Sequence, residues 1–154
     1  MIRRIVLITF LGLLALPHCP AAVRGDEAMY VGGTLAAVPE KTEGRLLLDN
    51  DQAARFVFKK GEVSIPYGKI TSLEYGQKTG RRVGVALVVN PVFLFSKKRR
   101  HYLTIGFTDS EGKKQGAVFE LAKGTVRGAL NTLETRSGKK VEYESEEAKK
   151  HAGN

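Results

Sequence analysis

One segment of this chain combines a long apolar run with most of the chain's excess of positive charge. Residues 81–101 read RRVGVALVVNPVFLFSKKRRH, and no acidic residue occurs between Glu74 and Asp109. Of the 25 lysines and arginines, seven lie in that interval and two in the first four residues, which leaves 16 basic residues against 16 acidic ones. A charge excess confined to one segment predicts an anionic surface or partner at that segment.

The first 25 residues have the layout of a secretory signal peptide. A basic start at residues 1–4 precedes an apolar stretch at 5–16, which Pro17 interrupts, and small residues follow. The stretch is too short for a transmembrane helix. We expect cleavage near residues 21–25 and export to the periplasm or medium, with the possibility of peripheral attachment to a membrane. Cys19 lies in this leader, so the mature chain would have no thiol.

The sequence after residue 25 predicts one mainly β domain at residues 26–144 and a disordered tail at 145–154. Short apolar runs that alternate with period two are separated by turn residues, and they give seven strands between residues 28 and 121. Pro66 places the fourth of these strands at an edge or a bend. The segment at 80–100 is an insertion between the fifth and sixth strands.

The periodicity then changes to that of a helix. Val126, Ala129, Leu130 and Leu133 are spaced to share one helix face, and Gly138 stands where a helix would end. Because open strand edges are a liability, we expect an antiparallel barrel or sandwich of seven strands, closed by this one C-terminal amphipathic helix.

Three stretches give the chain a likeness to a known fold: YVGGTL at 30–35, VSIPYGKI at 63–70 and LETRSG at 133–138. With the order of elements, they resemble the pleckstrin-homology superfold, in particular its GRAM-like members. The chain is also similar to uncharacterised bacterial secreted proteins in which a Gly- or Ala-rich apolar segment precedes Ser-Lys-Lys and a His-Tyr-Leu-Thr-Ile strand. The resemblance implies a binding module for lipids or proteins, and not an enzyme.

The apolar run at 83–95 is too short to cross a bilayer, and Asn90-Pro91 is a turn signal that lets it double back. Two interpretations stay open: the run packs against its own domain, or it forms an exposed tip that enters a membrane interface or a partner's groove. The flanking cations favour the second. Near an anionic lipid surface each is worth about 1 kcal/mol, and each large apolar side chain that leaves water adds roughly 1.5–3 kcal/mol.

The predicted contact residues are the cations and large apolar side chains of this segment. They are expected to bind an anionic lipid or envelope surface, or, as the alternative, a protein partner in an interaction or assembly module. The set is Arg81, Arg82, Val85, Leu87, Phe93, Leu94, Phe95, Lys97, Lys98, Arg99 and Arg100.

Other functions have weaker support in the sequence. Lys-Lys-Arg-Arg beside Tyr102 is also typical of nucleic-acid binding, but the export signal argues against it. Only His101 and His151 would remain in the mature chain, with no catalytic or metal-binding motif around either, so we predict no enzyme activity, cofactor, metal or small-molecule substrate. His101 is expected to be a strand-edge residue or part of the basic cluster.

Overall fold

The computed structural model describes residues 26–77 and 100–153. Within these residues the chain forms eight strands and two α-helices. In chain order they are β1 (Glu27–Gly33), β2 (Thr42–Leu47), β3 (Ala53–Phe58), β4 (Gly61–Pro66), β5 (Ile70–Gly76), β6 (His101–Thr108), β7 (Lys114–Leu121), α1 (Val126–Ser137), β8 (Val141–Tyr143) and α2 (Glu146–Gly153). The mainly β prediction is confirmed, as is the helix that follows the seventh strand. The predicted leader at 1–25 and most of the predicted insertion at 80–100 lie outside the described residues.

All eight strands belong to one open sheet in the order β4-β3-β2-β1-β7-β6-β5-β8. The predicted closed barrel is therefore wrong, and so is the count of seven strands. A 3₁₀ turn at Tyr67–Lys69 separates β4 from β5, and Pro66 at the end of β4 has no N–H to donate to a further strand. On the other side, β8 pairs with β5 in parallel and takes the edge that a barrel would have used for closure.

The main core lies on one face of this sheet. Tyr30, Phe56 and Phe119 meet there with ring centres 5.1–6.4 Å apart, and each is almost completely buried. Leu130 and Leu133 of α1 pack into the same core, as the helical spacing predicted. The alternation of β6 is also confirmed, because Leu103, Ile105 and Phe107 all belong to this core. The apolar residues that were predicted from the helical and the strand periodicity therefore form one core.

The side of the sheet turned away from α1, called the second face from here on, is also buried at its centre. It carries Met29, Val31, Tyr102, Thr104 and Val118 from the three central strands β1, β6 and β7. Val31 has 0% of its surface exposed, and Tyr102 and Thr104 each have 4%. The sheet is therefore buried on both faces where these three strands run side by side.

The end of α1 is fastened to the turn between β2 and β3 by Arg136. Its guanidinium donates to the carbonyl oxygen of Leu48 at 2.7 Å and to that of Asn50. It also lies 5.6 Å from the centre of the Tyr67 ring and pairs with the Asp51 carboxylate at 2.9 Å. The Arg136 side chain therefore joins α1 to the turn between β2 and β3 and to the 3₁₀ turn at Tyr67–Lys69.

Gly138 ends α1 in the left-handed conformation, with a φ of 68°, as predicted. The chain that follows was expected to be largely disordered from residue 145, and this expectation is wrong for α2. Ala148 and Ala152 lie four residues apart on one side of α2, and both are buried in the main core. Two small apolar side chains with helical spacing are enough to dock a short helix that the surrounding Glu and Lys residues had obscured.

We expect Arg136→Met to lower the free energy of unfolding by about 1.5–3 kcal/mol, because hydrogen bonds made by a charged donor to two backbone carbonyls would be lost. Urea unfolding followed by circular dichroism measures the change. Arg127→Met is the matched control, since Arg127 is exposed on the same helix. Equal stability of the two variants would contradict the anchoring role of Arg136.

Candidate surface-binding site

The predicted site begins and ends at one point of the sheet. In the antiparallel ladder of β5 with β6, Gly76 at the end of β5 is opposite Tyr102 near the start of β6. The backbones of such a pair are about 5 Å apart. The 22 residues from 78 to 99 therefore leave the sheet and return to it on neighbouring strands at the same end. This end of the β5–β6 pair is called the root of the segment below.

Ten of the eleven predicted contact residues lie outside the described residues, and Arg100 is the exception. Its guanidinium donates two hydrogen bonds to the carboxylate of Glu120 on β7, at 2.7 and 2.9 Å. The carboxylate holds the pKa of Arg100 above its usual range. With 39% of its side chain exposed, Arg100 still faces solvent, but its charge is matched by an acid. Arg100 therefore fixes the end of the basic cluster on the sheet.

His101 is fixed at the root by Tyr75. The Tyr75 hydroxyl and the His101 Nδ1 are 2.6 Å apart, and the two rings are stacked with centres 6.2 Å apart. Burial raises the pKa of Tyr75. The tautomer of the imidazole sets which of the two groups donates the hydrogen bond. The strand position expected for His101 is confirmed at the start of β6. Its bond to Tyr75 links the strand that precedes the segment with the strand that follows it.

The environment of His101 disfavours its protonated form. Burial lowers the pKa of His101, and the neighbouring Lys123 and His151 lower it further, while Glu120 acts in the opposite direction. These neighbours come from the 3₁₀ turn before α1, from α2 and from β7. Several elements that are distant in sequence therefore surround the imidazole.

The C-terminal arm, β8 and α2, supports the root from the other side. The backbone N–H of Glu144 donates to the carbonyl oxygen of Tyr75 at 2.9 Å. The Glu144 carboxylate accepts from the backbone N–H of Gln77 at 3.1 Å. Tyr143 packs edge-on against the Tyr75 ring, with centres 6.1 Å apart. The last residues of β5 are thus held on both sides before residue 78.

A broad, open cleft borders the root and is lined by residues of mixed charge. One wall carries Arg100 with Glu120, and another carries Arg45, which pairs with Asp26. Lys59 and Phe58 line the part of the cleft formed by β3. Because each of these arginines has an acid beside it, the cleft adds little net charge to the root.

Among residues 26–77 and 100–153, no group of three or more His, Cys, Asp or Glu side chains is placed to hold a metal ion. None of the helices in that part of the chain is long and apolar enough to span a membrane. Comparison with known proteins gave no matching family model and no matching curated protein.

Sequence reasoning identified the segment but missed the contacts that hold its ends. The Arg100–Glu120 pair and the Tyr75–His101 bond join residues 20 and 26 positions apart, and both depend on strand register. Alternation predicts which face a side chain occupies, but not which residue stands opposite it. The register of β6 with β7 would have been needed to find the first, and the register of β5 with β6 to find the second.

The lowered pKa of His101 predicts acid-sensitive folding. The unfolded chain takes up this proton near pH 6.5, and the folded chain takes it up less readily. Stability should therefore be greatest above about pH 6.5 and should decline as the pH falls towards 5. We expect His101→Asn to lose less stability over this interval in urea unfolding, since Asn cannot be protonated there.

Lys123→Gln should also reduce the loss, because it removes one positive neighbour of His101. The same change at exposed Lys139 should leave it unaltered. A wild-type curve that rises on acidification from pH 7 to 5 would contradict the assignment.

Proposed function

We propose that this chain is an exported, non-enzymatic binding module that associates with an anionic membrane or envelope surface through the segment at 81–100. One observation carries the proposal. The described residues contain 16 basic and 16 acidic side chains, so the folded sheet and helices are balanced. The excess of the mature domain belongs to a segment whose two ends meet at the root.

The geometry of the root supports the electrostatic part of this proposal. Arg81 and Arg82 are close in sequence to the end of β5, while Lys97, Lys98 and Arg99 directly precede β6. Since the ends of β5 and β6 are paired, both basic clusters are tied to the same end of the sheet. At about 1 kcal/mol each near an anionic surface, four to six cations contribute roughly 4–6 kcal/mol, which suffices for reversible association.

We also propose that the domain is pleckstrin-homology-like. Seven antiparallel strands in succession, followed by α1, support this assignment. The open sheet and the added β8 are departures from a closed barrel of seven strands. Export is supported by the layout of residues 1–25, which precede the first described residue, Asp26.

Liposome co-sedimentation of the chain from residue 26 tests the surface proposal. We expect binding to vesicles that contain anionic phospholipid, weaker binding as salt is raised, and little binding to neutral vesicles. Lys97→Glu with Arg99→Glu should abolish it. Lys113→Glu with Lys114→Glu is the matched control: the charge change is equal, but these exposed lysines lie at the opposite end of the β6–β7 hairpin.

Binding that ignores lipid charge and survives the Lys97 and Arg99 reversals would overturn the proposal. The main alternative, an assembly module, would then be examined by light scattering at low and high salt. A dimer that salt does not dissociate would favour that alternative, because an apolar protein contact is little screened.

Glu120→Gln should strengthen association with anionic vesicles. It removes the acid that neutralises Arg100, so one more cation at the root becomes available. At about 1 kcal/mol for each cation, the apparent affinity should rise roughly five-fold. Glu62→Gln is the control, since Glu62 also pairs with an arginine but lies on β4. Equal affinities for the two variants would argue against a role for this end of the sheet.

A further inference from the structure

The short helix α2 is held in the fold by a small apolar contact. It packs on α1 and β8, and it contributes Ala148 and Ala152 to the main core. By contrast, α1 buries Val126, Leu130 and Leu133. A helix of eight residues has little stability of its own in water. The position of α2 therefore depends on its contacts with neighbouring elements, and a modest repulsion at that contact is enough to displace it.

The His101 imidazole lies at the end of the sheet that α2 covers. Alternation along β6 places His101 on the same side as Leu103, which belongs to the main core. The imidazole stacks on Tyr75, another residue of that core. His151, in the last turn of α2, is close enough to repel a charge on His101. The two histidines of the described residues therefore lie near each other where α2 meets the sheet.

We propose that α2 is an acid-released latch. Protonation of His101 and His151 repels α2 from the sheet and detaches residues 146–153 from the main core, while β8 stays paired with β5. The latch consists of described residues and does not depend on association with an anionic surface.

Basic side chains predominate around the His101 imidazole. Lys123 approaches it from the 3₁₀ turn before α1, and His151 approaches it from α2. Glu120 on β7 favours the protonated form, but its carboxylate already accepts two hydrogen bonds from Arg100. Among these groups, an added proton therefore meets two basic side chains and one acid whose charge is already matched.

The imidazole is held in place among these groups by Tyr75, which contacts both its ring face and its Nδ1. A protonated Nδ1 still donates to the Tyr75 hydroxyl oxygen, so this bond is compatible with both charge states of His101. The repulsion is then relieved by movement of a neighbour. Because α2 is the last described element of the chain and is docked by two alanines, it is the neighbour that separates most readily.

The strand β8 is held by contacts that do not depend on the charge of a histidine. It pairs with β5 along its three residues. The backbone N–H of Glu144 donates to the carbonyl oxygen of Tyr75 at 2.9 Å. The Glu134 carboxylate on α1 accepts from the backbone N–H of Val141 at 2.7 Å. Release should therefore stop near residue 145 and leave β8 on the edge of the sheet.

The latch responds to pH in the interval in which histidines titrate. Burial and the neighbouring cations lower the pKa of His101 in the docked state, so the released state takes up a proton more readily. Acid therefore favours release. Docking should be most stable above about pH 6.5, the value of a free histidine, and should weaken as the pH falls towards 5.

Thiol labelling of the full chain at different pH values tests the latch. Cys19→Ser removes the only native thiol, and Ala152→Cys then places one where α2 contacts the core. The probe is an aromatic disulfide that reacts with thiols throughout this pH range. Each rate is divided by the rate at Ser110→Cys, exposed in the turn between β6 and β7, which corrects for the pH dependence of a free thiol. We expect the corrected rate to rise several-fold from pH 7 to pH 5.

Three kinds of variant show whether the rise belongs to the latch. Val141→Cys reports on β8, where the corrected rate should be the same at both pH values. His101→Asn and His151→Asn should each reduce the rise at Ala152→Cys, because each removes one of the two charges that appear in acid. Lys149→Gln removes a charge from an exposed position of α2 and should leave the rise unaltered.

Three results would overturn the proposal. The first is a corrected rate that does not rise in acid, with Ala148→Cys as the second position in case Ala152→Cys does not fold. The second is an equal rise at Val141→Cys, which would show general unfolding instead of the release of α2 alone. The third is a rise that persists in both histidine variants. No vesicles enter these measurements, so failure of the latch and failure of the surface proposal remain distinguishable.

Discussion

The pairing of β5 with β6 is the constraint on which the proposed binding surface depends. The two strands are antiparallel neighbours, and Gly76 is opposite Tyr102, so the long segment between them must begin and end at one place. A parallel pair would have separated those ends by the length of a strand. Here the root is held by backbone hydrogen bonds, by the Tyr75–His101 bond and by Arg100 on Glu120. Both ends of the segment are thereby attached to the sheet.

The arginines of the folded sheet and helices differ from the cations at 81–99 in whether an acid neutralises them. Arg45, Arg55, Arg100 and Arg136 each pair with an acid on a neighbouring element or turn. Arginine suits such pairs because its planar fork offers several donors at once. An arginine that is paired with an acid within the fold contributes little to the attraction of the domain to an anionic surface. The cations at 81–99 belong to a segment that contains no acidic residue, which is why the proposed attraction to an anionic surface is assigned to them.

Much of the fold could be predicted from local patterns, and the exceptions have identifiable physical causes. The period-two alternation of β6 and the helical spacing of Val126, Leu130 and Leu133 placed these residues in the core correctly. Closure of the sheet depends on whether β4 meets β5, which no local pattern encodes. A three-residue strand such as β8 has too few side chains to show alternation, and its parallel partner is more than sixty residues away.

The candidate site was predictable in composition but not in contacts. An apolar run between basic clusters is visible in the sequence, whereas the pairing of Arg100 with Glu120 requires the register of β6 on β7. The second face illustrates the same limit. Val31, Tyr102 and Val118 alternate with core residues and would ordinarily be assigned to the outer surface of an antiparallel sheet. Alternation alone therefore does not predict their burial.

The parallel strand β8 affects whether copies of this protein can aggregate through their sheet edges. Unpaired strand edges recruit other chains, and β5 would be such an edge without Val141–Tyr143 beside it. The opposite edge, β4, ends at Pro66, which cannot extend a hydrogen-bonded ladder. β8 therefore protects the β5 edge against edge-to-edge aggregation. An open sheet can persist in this protein because both of its borders are blunted.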